Sequence, residues 1–304
     1  MYSRQIYLLT VATDTTQTGY LNWKTSVEHA GWPASQVVVL GEGEPWQGWA
    51  WRCRKILGFC RTLQPDDYLI ICDAYDALVF GSPQEFKALL QAQGCDILFG
   101  IDYACIKNTD FLLQKSCSGS VTSSRDVFIN GGGLMGKVQY LALGYEYIQA
   151  HHSDDQIGWH QYLTEQRYPS GTVICFDEGN EMIFNMMFGD HKKREGNQWN
   201  VYLNYLEMLF FPGTTTRVIR GTQGAIRGTQ RPLLSNGSTP LIIHTPGLKA
   251  DGGARYNYIG TNFLPRDFRK RGLTFGSLSA IAYTVLIGIV YLLFYSLYSR
   301  IYAI

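Results

Sequence analysis

The stretch "IICDAYDALVF", residues 70–80, sets two carboxylates, Asp73 and Asp76, three positions apart within an otherwise apolar run. Burying an ionised carboxylate is costly unless it is paired or bound to a metal. The apolar half before Asp73 reads as a strand buried on both faces of a parallel sheet. Asp73 and Asp76 then fall at the carboxyl end of the strand, where ligands of such sheets bind. Two readings follow. Either the pair faces one cavity and holds a hard divalent ion such as Mn²⁺ or Mg²⁺, or Asp73 caps a turn and Asp76 is solvated.

Outward from this strand the chain alternates short β-branched runs with helical patterns. "IYLLTVAT" (6–13) and "QVVVLGEG" (36–43) predict strands separated by a helix over 20–30, and 51–63 has apolar positions at helical spacing. Residues 82–94 carry a Ser82 cap, Pro83 at the first helical position, Glu85 three after the Ser and a terminal Gly94. "CDILFGID" (95–102) predicts another strand. "VFINGGGLMG" (127–136) predicts a strand interrupted by glycines before a helix, and "PLIIHTPG" (240–247) a last strand ending on His244. The duplication "IRGTQGAIRGTQ" (219–230) predicts a surface loop or hairpin. The alternation argues for an α/β domain with a mostly parallel sheet flanked by helices.

With 304 residues, 46% hydrophobic and 17% charged, the chain can bury a large core. Its net charge of +1 provides no global field to attract nucleic acid, so ligands must be recognised locally. The cysteine count is odd, and Cys53, Cys60, Cys72, Cys95, Cys105, Cys117 and Cys175 show no CxxC or Cys/His ligand spacing. Reduced structural thiols and a cytosolic setting are expected. The apolar run after Met1 is too short for a signal-peptide core and is followed by no cleavage site, so secretion is not expected. From Gly272 to Ser299 the chain carries no charge, longer than the ~20 residues that cross a bilayer as a helix. Arg266, Arg269, Lys270 and Arg271 precede it and only Arg300 follows, so the positive-inside rule places the large domain in the cytosol. The expected organisation is one catalytic domain over 1–265 and a basic juxtamembrane segment with a single-pass anchor over 266–304.

Three further groups could carry chemistry. His244 at a strand end is either a packed histidine or a third metal ligand. It is followed by Thr-Pro-Gly and then Lys249, which suits a site for a metal-bound diphosphate. Ser153-Asp154-Asp155-Gln156 reads as a capping box with acids in the first helical turn. Successive helical residues point about 100° apart, so at most one of the two aspartates aims at a given reacting atom. Asn130-Gly131-Gly132-Gly133 is either a bulge or turn, or a place of close backbone approach to a sugar or phosphate. No Walker or dinucleotide fingerprint is present.

In order, "TVAT…GYL", "VVVLGEGEPWQG", Lys55, "IICDAYDALVFGSPQE", "FINGGGLMG", "DDQIGWHQYL", "FDEGNEMIFN" and "IIHTPGLKADGGARYNYIGTNF" resemble the glycosyltransferase domain of the procollagen lysyl hydroxylase/collagen glycosyltransferase family, from about Ile6 to Asn262. The resemblance implies a GT-A-type, Rossmann-like domain using a UDP-sugar and Mn²⁺. It implies that Asp73, Asp76 and His244 hold the metal, that Tyr75 stacks near the uridine, and that Thr13 lines the nucleotide site. Lys55, Gly247 and Lys249 match positions near the nucleotide or its diphosphate. Asp154 and Asp155 match the catalytic acidic pair, Asp102 an acidic residue of the sugar-proximal loop, and Asn130 the head of the family's NSGG motif. That motif here reads NGGG, and Ile106 stands where the family has tryptophan. The expected activity is transfer of a hexose, glucose or galactose, to a hydroxyl of a protein-linked or glycan acceptor. The same acidic strand end also suits a metal-dependent nucleotidyltransferase or phosphohydrolase, or a non-catalytic UDP-sugar- or glycan-binding module.

Overall fold

The computed structural model describes residues 4–102, 128–185, 218–223, 230–234, 238–245 and 285–293. The apolar run over 70–80 falls on two strands in two different sheets: the strand expected before Asp73, and a second one after Asp76. β3 (Tyr68–Cys72) is central in a six-stranded sheet and buried at every residue, whereas β4 (Ala77–Val79) belongs to a three-stranded sheet. Asp73 to Asp76 form the turn between them, so the charges interrupt the apolar run where the chain leaves one sheet for the other.

The large sheet has the order β2 (Val37–Leu40), β1 (Ile6–Val11), β3, β6 (Phe128–Lys137), β5 (Ile97–Asp102), β7 (Ile174–Phe176). It is mixed and largely parallel: β6 alone runs against its neighbours β3 and β5. Alternate side chains feed two cores. Leu8, Ile70 and Leu98 pack on one face with α1 (Thr18–His29) and α3 (Pro83–Gln93). Leu9, Leu69, Ile71 and Phe99 pack on the other with α2 (Trp49–Cys60), α4 (Val138–His151) and α5 (Asp155–Thr164). The capping box predicted for α3 is present in both directions, and Gly94 closes that helix in the left-handed region at φ 63°.

The small sheet has β11 (Ile242–His244) between β4 and β8 (Ile183–Asn185). Antiparallel pairing sets His244 opposite Ala77, and parallel pairing sets it opposite Asn185. Residues 219–223 and 230 of the duplication lie on the antiparallel pair β9 (Val218–Gln223) and β10 (Gln230–Leu234), which fits the hairpin of the two expected forms, and 224–229 lie outside the described residues. Cys53, Cys60, Cys72, Cys95 and Cys175 are unbridged. No helix among the described residues is long and apolar enough to cross a membrane. Of the expected span 272–299, residues 285–293 are helical with every side chain exposed, and the remainder lies outside the described residues.

Candidate metal and nucleotide site

The carboxyl ends of β1, β2 and β3 open on the same edge of the large sheet, and the candidate residues gather there. Asp73 directly follows β3, and its backbone N–H donates to Gly132 O at 3.1 Å. Because β6 runs antiparallel, its early residues, Asn130 to Gly133, lie beside that strand end. The Thr245 N–H donates to Asp76 O at 2.8 Å, tying β11 to the same turn.

Asp73, Asp76 and His244 each offer one ligand atom, all within 4.8 Å of one another. His244 Nε2 lies 3.6 Å from Asp73 Oδ2 and 3.5 Å from Asp76 Oδ1. Adjacent ligands of an octahedral ion stand roughly 3 Å apart, so a small inward movement suffices to close the shell. Carboxylate and imidazole donors together suit Mn²⁺, and the carboxylates also accept Mg²⁺. The donor set therefore fits a divalent ion.

Asn185, which the sequence reading did not single out, sets the histidine. Its Nδ2 donates to Ile101 O at 2.8 Å, which turns Oδ1 toward His244 Nδ1 at 2.7 Å. An amide oxygen only accepts, so Nδ1 carries a proton, and Nε2 is the ring nitrogen turned toward the two carboxylates. Asp177 supports the turn leading into β8, accepting N–H bonds from Glu181, Met182 and Ile183 at 2.8–2.9 Å.

Arg52, also missed, joins the cluster to the acidic pair. It is buried on α2 and donates from one terminal nitrogen to Asp73 Oδ1 at 3.1 Å and from the other to Asp155 Oδ2. Burial opposes its charge, but Asp155 and Asp73 outweigh that cost and hold the guanidinium protonated. Burial raises the Asp73 carboxyl above the ordinary aspartate value; Arg52 counteracts the rise and Asp76 adds to it. A signal for Arg52 exists: it lies one turn before Ile56 on the apolar stripe of α2, where a charge requires a buried partner.

The acidic pair divides its roles. The cap of α5 is Asp154 and not the Ser153 that a capping box requires. Asp154 is the extended residue, and its Oδ1 accepts the Ile157 N–H at 3.1 Å. Asp155 is buried and reaches the cluster through Arg52. Asn130 is buried, and its Oδ1 accepts the Gly132 N–H at 2.8 Å. The glycine run carries the bulge that the sequence allowed. Between Phe99 and Ile101 the β5–β6 register shifts across residues 130–133, forming a bulge. Gly132 also approaches the histidine so closely that a Cβ there would lie 2.1 Å from His244 Cε1.

Thr13 and Tyr75 lie on this edge. The Tyr75 hydroxyl accepts the Asp14 N–H at 2.9 Å, and Thr13 O accepts the Gly43 N–H at 3.0 Å. Lys55 projects to the loop after β2, paired with Glu44 at 2.5 Å. Asp102 ends β5, and its side chain lies outside the described residues, as do Gly247 and Lys249 entirely.

The family model described as the PLOD GT domain matches residues 2–205 of this chain. No curated protein matches it. Among solved structures, the crystal structure of a glycosyltransferase involved in the glycosylation of the major capsid of PBCV-1 is similar at a TM-score of 0.44 and 10% identity. That likeness covers 84% of this chain and 99% of that one.

Proposed function

The chain belongs to the PLOD GT-domain family, and from that premise we propose a metal-dependent glycosyltransferase that moves a hexose, glucose or galactose, from a UDP-sugar to a hydroxyl of a protein-linked or glycan acceptor. The observation that carries the metal dependence is the Asp73, Asp76 and His244 cluster at the carboxyl edge of the sheet.

In this reading Asp73, Asp76 and His244 Nε2 hold one Mn²⁺, or Mg²⁺, against the diphosphate of the donor. When bound, the ion neutralises charge that develops on the departing UDP. Tyr75 and Thr13 receive the nucleoside, with the Tyr75 ring held by the Asp14 N–H. Lys55, Gly247 and Lys249 complete the nucleotide side. In the transfer, the acceptor hydroxyl gives up its proton to a carboxylate of the site or to the departing diphosphate, its oxygen bonds to the anomeric carbon, and the bond from that carbon to the diphosphate oxygen breaks. Asp155 faces the acceptor hydroxyl or the anomeric carbon, and Asp154 closes the helix start behind it. Asp102 and Asn130 flank the sugar.

The same reading takes residues 272–299 as a membrane anchor with the catalytic domain on the cytosolic side. Its support is the uncharged sequence, the preceding cluster of Arg266, Arg269, Lys270 and Arg271, and the exposed apolar side chains of the helical piece. Among these, Leu292 and Leu293 are each 65% exposed.

The test is a thermal-shift screen of the full-length protein, in detergent, against UDP-sugars with and without Mn²⁺, followed by product analysis. A ligand that binds only the native state stabilises it by about 2.7 kcal/mol at a hundredfold excess over its dissociation constant. The reading is lost if no UDP-sugar gives an Mn²⁺-dependent shift, or if Asp73→Ala retains full turnover.

A further inference from the structure

Asp73, Asp76 and Asp155 bring three carboxylates to one edge of the sheet, and two of them share a single buried cation. Arg52 uses one terminal nitrogen for Asp73 Oδ1 and the other for Asp155 Oδ2. The partners are thereby divided atom by atom. Asp73 gives Oδ1 to Arg52 and keeps Oδ2 toward His244 Nε2 at 3.6 Å. Asp155 gives Oδ2 to Arg52, and its Oδ1 accepts its own helix's Gln156 N–H at 2.9 Å. Both oxygens of Asp155 are therefore fixed, with Gly131 alongside: a Cβ there would lie 3.6 Å from Oδ1.

We propose that Arg52 is a built-in counter-cation and positioning residue, which aims Asp73 at the metal while holding Asp155 on the reacting side of the site. The inference rests on reading Asp73, Asp76 and His244 as the metal cluster. A planar guanidinium spans two carboxylates with fixed geometry, whereas an ammonium is a point charge that cannot reproduce both contacts. Arg52 also competes electrostatically with the ion for Asp73, since like charges at this range repel strongly where water is partly excluded. Charge balance then sets the sign of every substitution.

Removing the cation in Arg52→Gln leaves carboxylates whose remaining counter-charge is the divalent ion. The metal-free protein should melt lower, while Mn²⁺ binds about threefold or more tightly and raises the melting temperature by more than in wild type. Asp155→Asn acts in the opposite direction: Arg52 falls back on Asp73 alone, and Mn²⁺ binds several-fold more weakly. A residue that served only as scaffold would weaken Mn²⁺ in both variants.

The experiment is isothermal titration of Mn²⁺ alone into full-length wild type, Arg52→Gln, Arg52→Lys and Asp155→Asn, alongside melting curves and steady-state kinetics. Arg52→Lys keeps the charge and so supplies the answer if Arg52→Gln fails to fold. Its Mn²⁺ affinity should stay near wild type while kcat falls at least about tenfold with KM for the donor little changed, because Asp155 has lost its second anchor. Opposite-signed affinity changes in Arg52→Gln and Asp155→Asn support the proposal. So does the kcat-specific loss in Arg52→Lys. Weaker Mn²⁺ binding in Arg52→Gln, or a wild-type kcat in Arg52→Lys, overturns it. Absence of Mn²⁺ binding to wild type would instead remove the functional reading on which it rests.

Discussion

Replacing Gly132 by alanine tests whether the cluster is a metal site, through a residue that is not itself a ligand. An added Cβ would lie 2.1 Å from His244 Cε1 and 2.7 Å from Nδ1. Carbon atoms settle at about 3.5 Å, so the imidazole must retreat by roughly 1.4 Å or the β6 backbone must move as far. Neither moves freely. His244 sits on the central strand of its sheet with Nδ1 fixed by Asn185, and Gly132 O accepts the Asp73 N–H. Overpacking of this kind costs about 1–3 kcal/mol, while metal-ligand distances tolerate only about 0.2 Å. Gly132→Ala should therefore lose most of the Mn²⁺-induced thermal shift while retaining a cooperative melt. The control is Gly133→Ala on the next residue, whose Cβ would meet the terminal Cδ1 of Ile183 at 2.2 Å. That variant should lose similar stability and keep its Mn²⁺ response. If Gly132→Ala responds to Mn²⁺ as wild type does, His244 is not a ligand.

Asp154→Ala should cost about 1 kcal/mol of stability through loss of the α5 cap, read from urea midpoints, and reduce kcat far less than Asp155→Asn. Burial pushes the His160 imidazole down to about 4, and its Nε2 accepts the Ile129 N–H. The unfolded chain protonates this histidine first, so its contribution is intact above the unfolded value and is lost as pH falls from about 6.5 toward 4, amounting to roughly 2–3 kcal/mol by pH 4.5. The urea midpoint of His160→Gln should therefore change less than that of wild type between pH 7 and 4.5. Gly144→Ala should destabilise by about 3 kcal/mol without altering Mn²⁺ affinity, because its Cβ would lie 2.0 Å from Cη2 of the buried Trp159 at the contact of α4 and α5.

What the sequence made legible was local. β1, β3 and β5 announce themselves as short apolar runs, α3 by its capping box, and Asp73 and Asp76 by breaking an apolar stretch. What it hid was long-range register. Nothing in "FINGGGLMG" says that β6 inserts antiparallel between β3 and β5, yet that insertion brings Asn130 and Gly132 to the cluster of Asp73, Asp76 and His244. Arg52 is 21 residues from Asp73 and 103 from Asp155, and Asn185 is 59 from His244. The apolar stripe of α2 marks Arg52 as needing a buried partner, but neither that partner nor the one Asn185 meets can be named until the sheets align.

The division between Asp154 and Asp155 shows why local pattern alone leaves a site ambiguous. Both acids suit the first turn of a helix, so the sequence supports a dipole role for either one. The chain enters α5 with Asp154 extended at φ −127°, which commits its carboxylate to the Ile157 N–H. Asp155 is then the first helical residue and turns away from the cap into the buried side, where a carboxylate requires a counter-charge. Arg52 supplies it, and the same guanidinium is already committed to Asp73. The cap thus selects which aspartate reaches the cluster of Asp73, Asp76 and His244, and the buried arginine fixes where that aspartate stands.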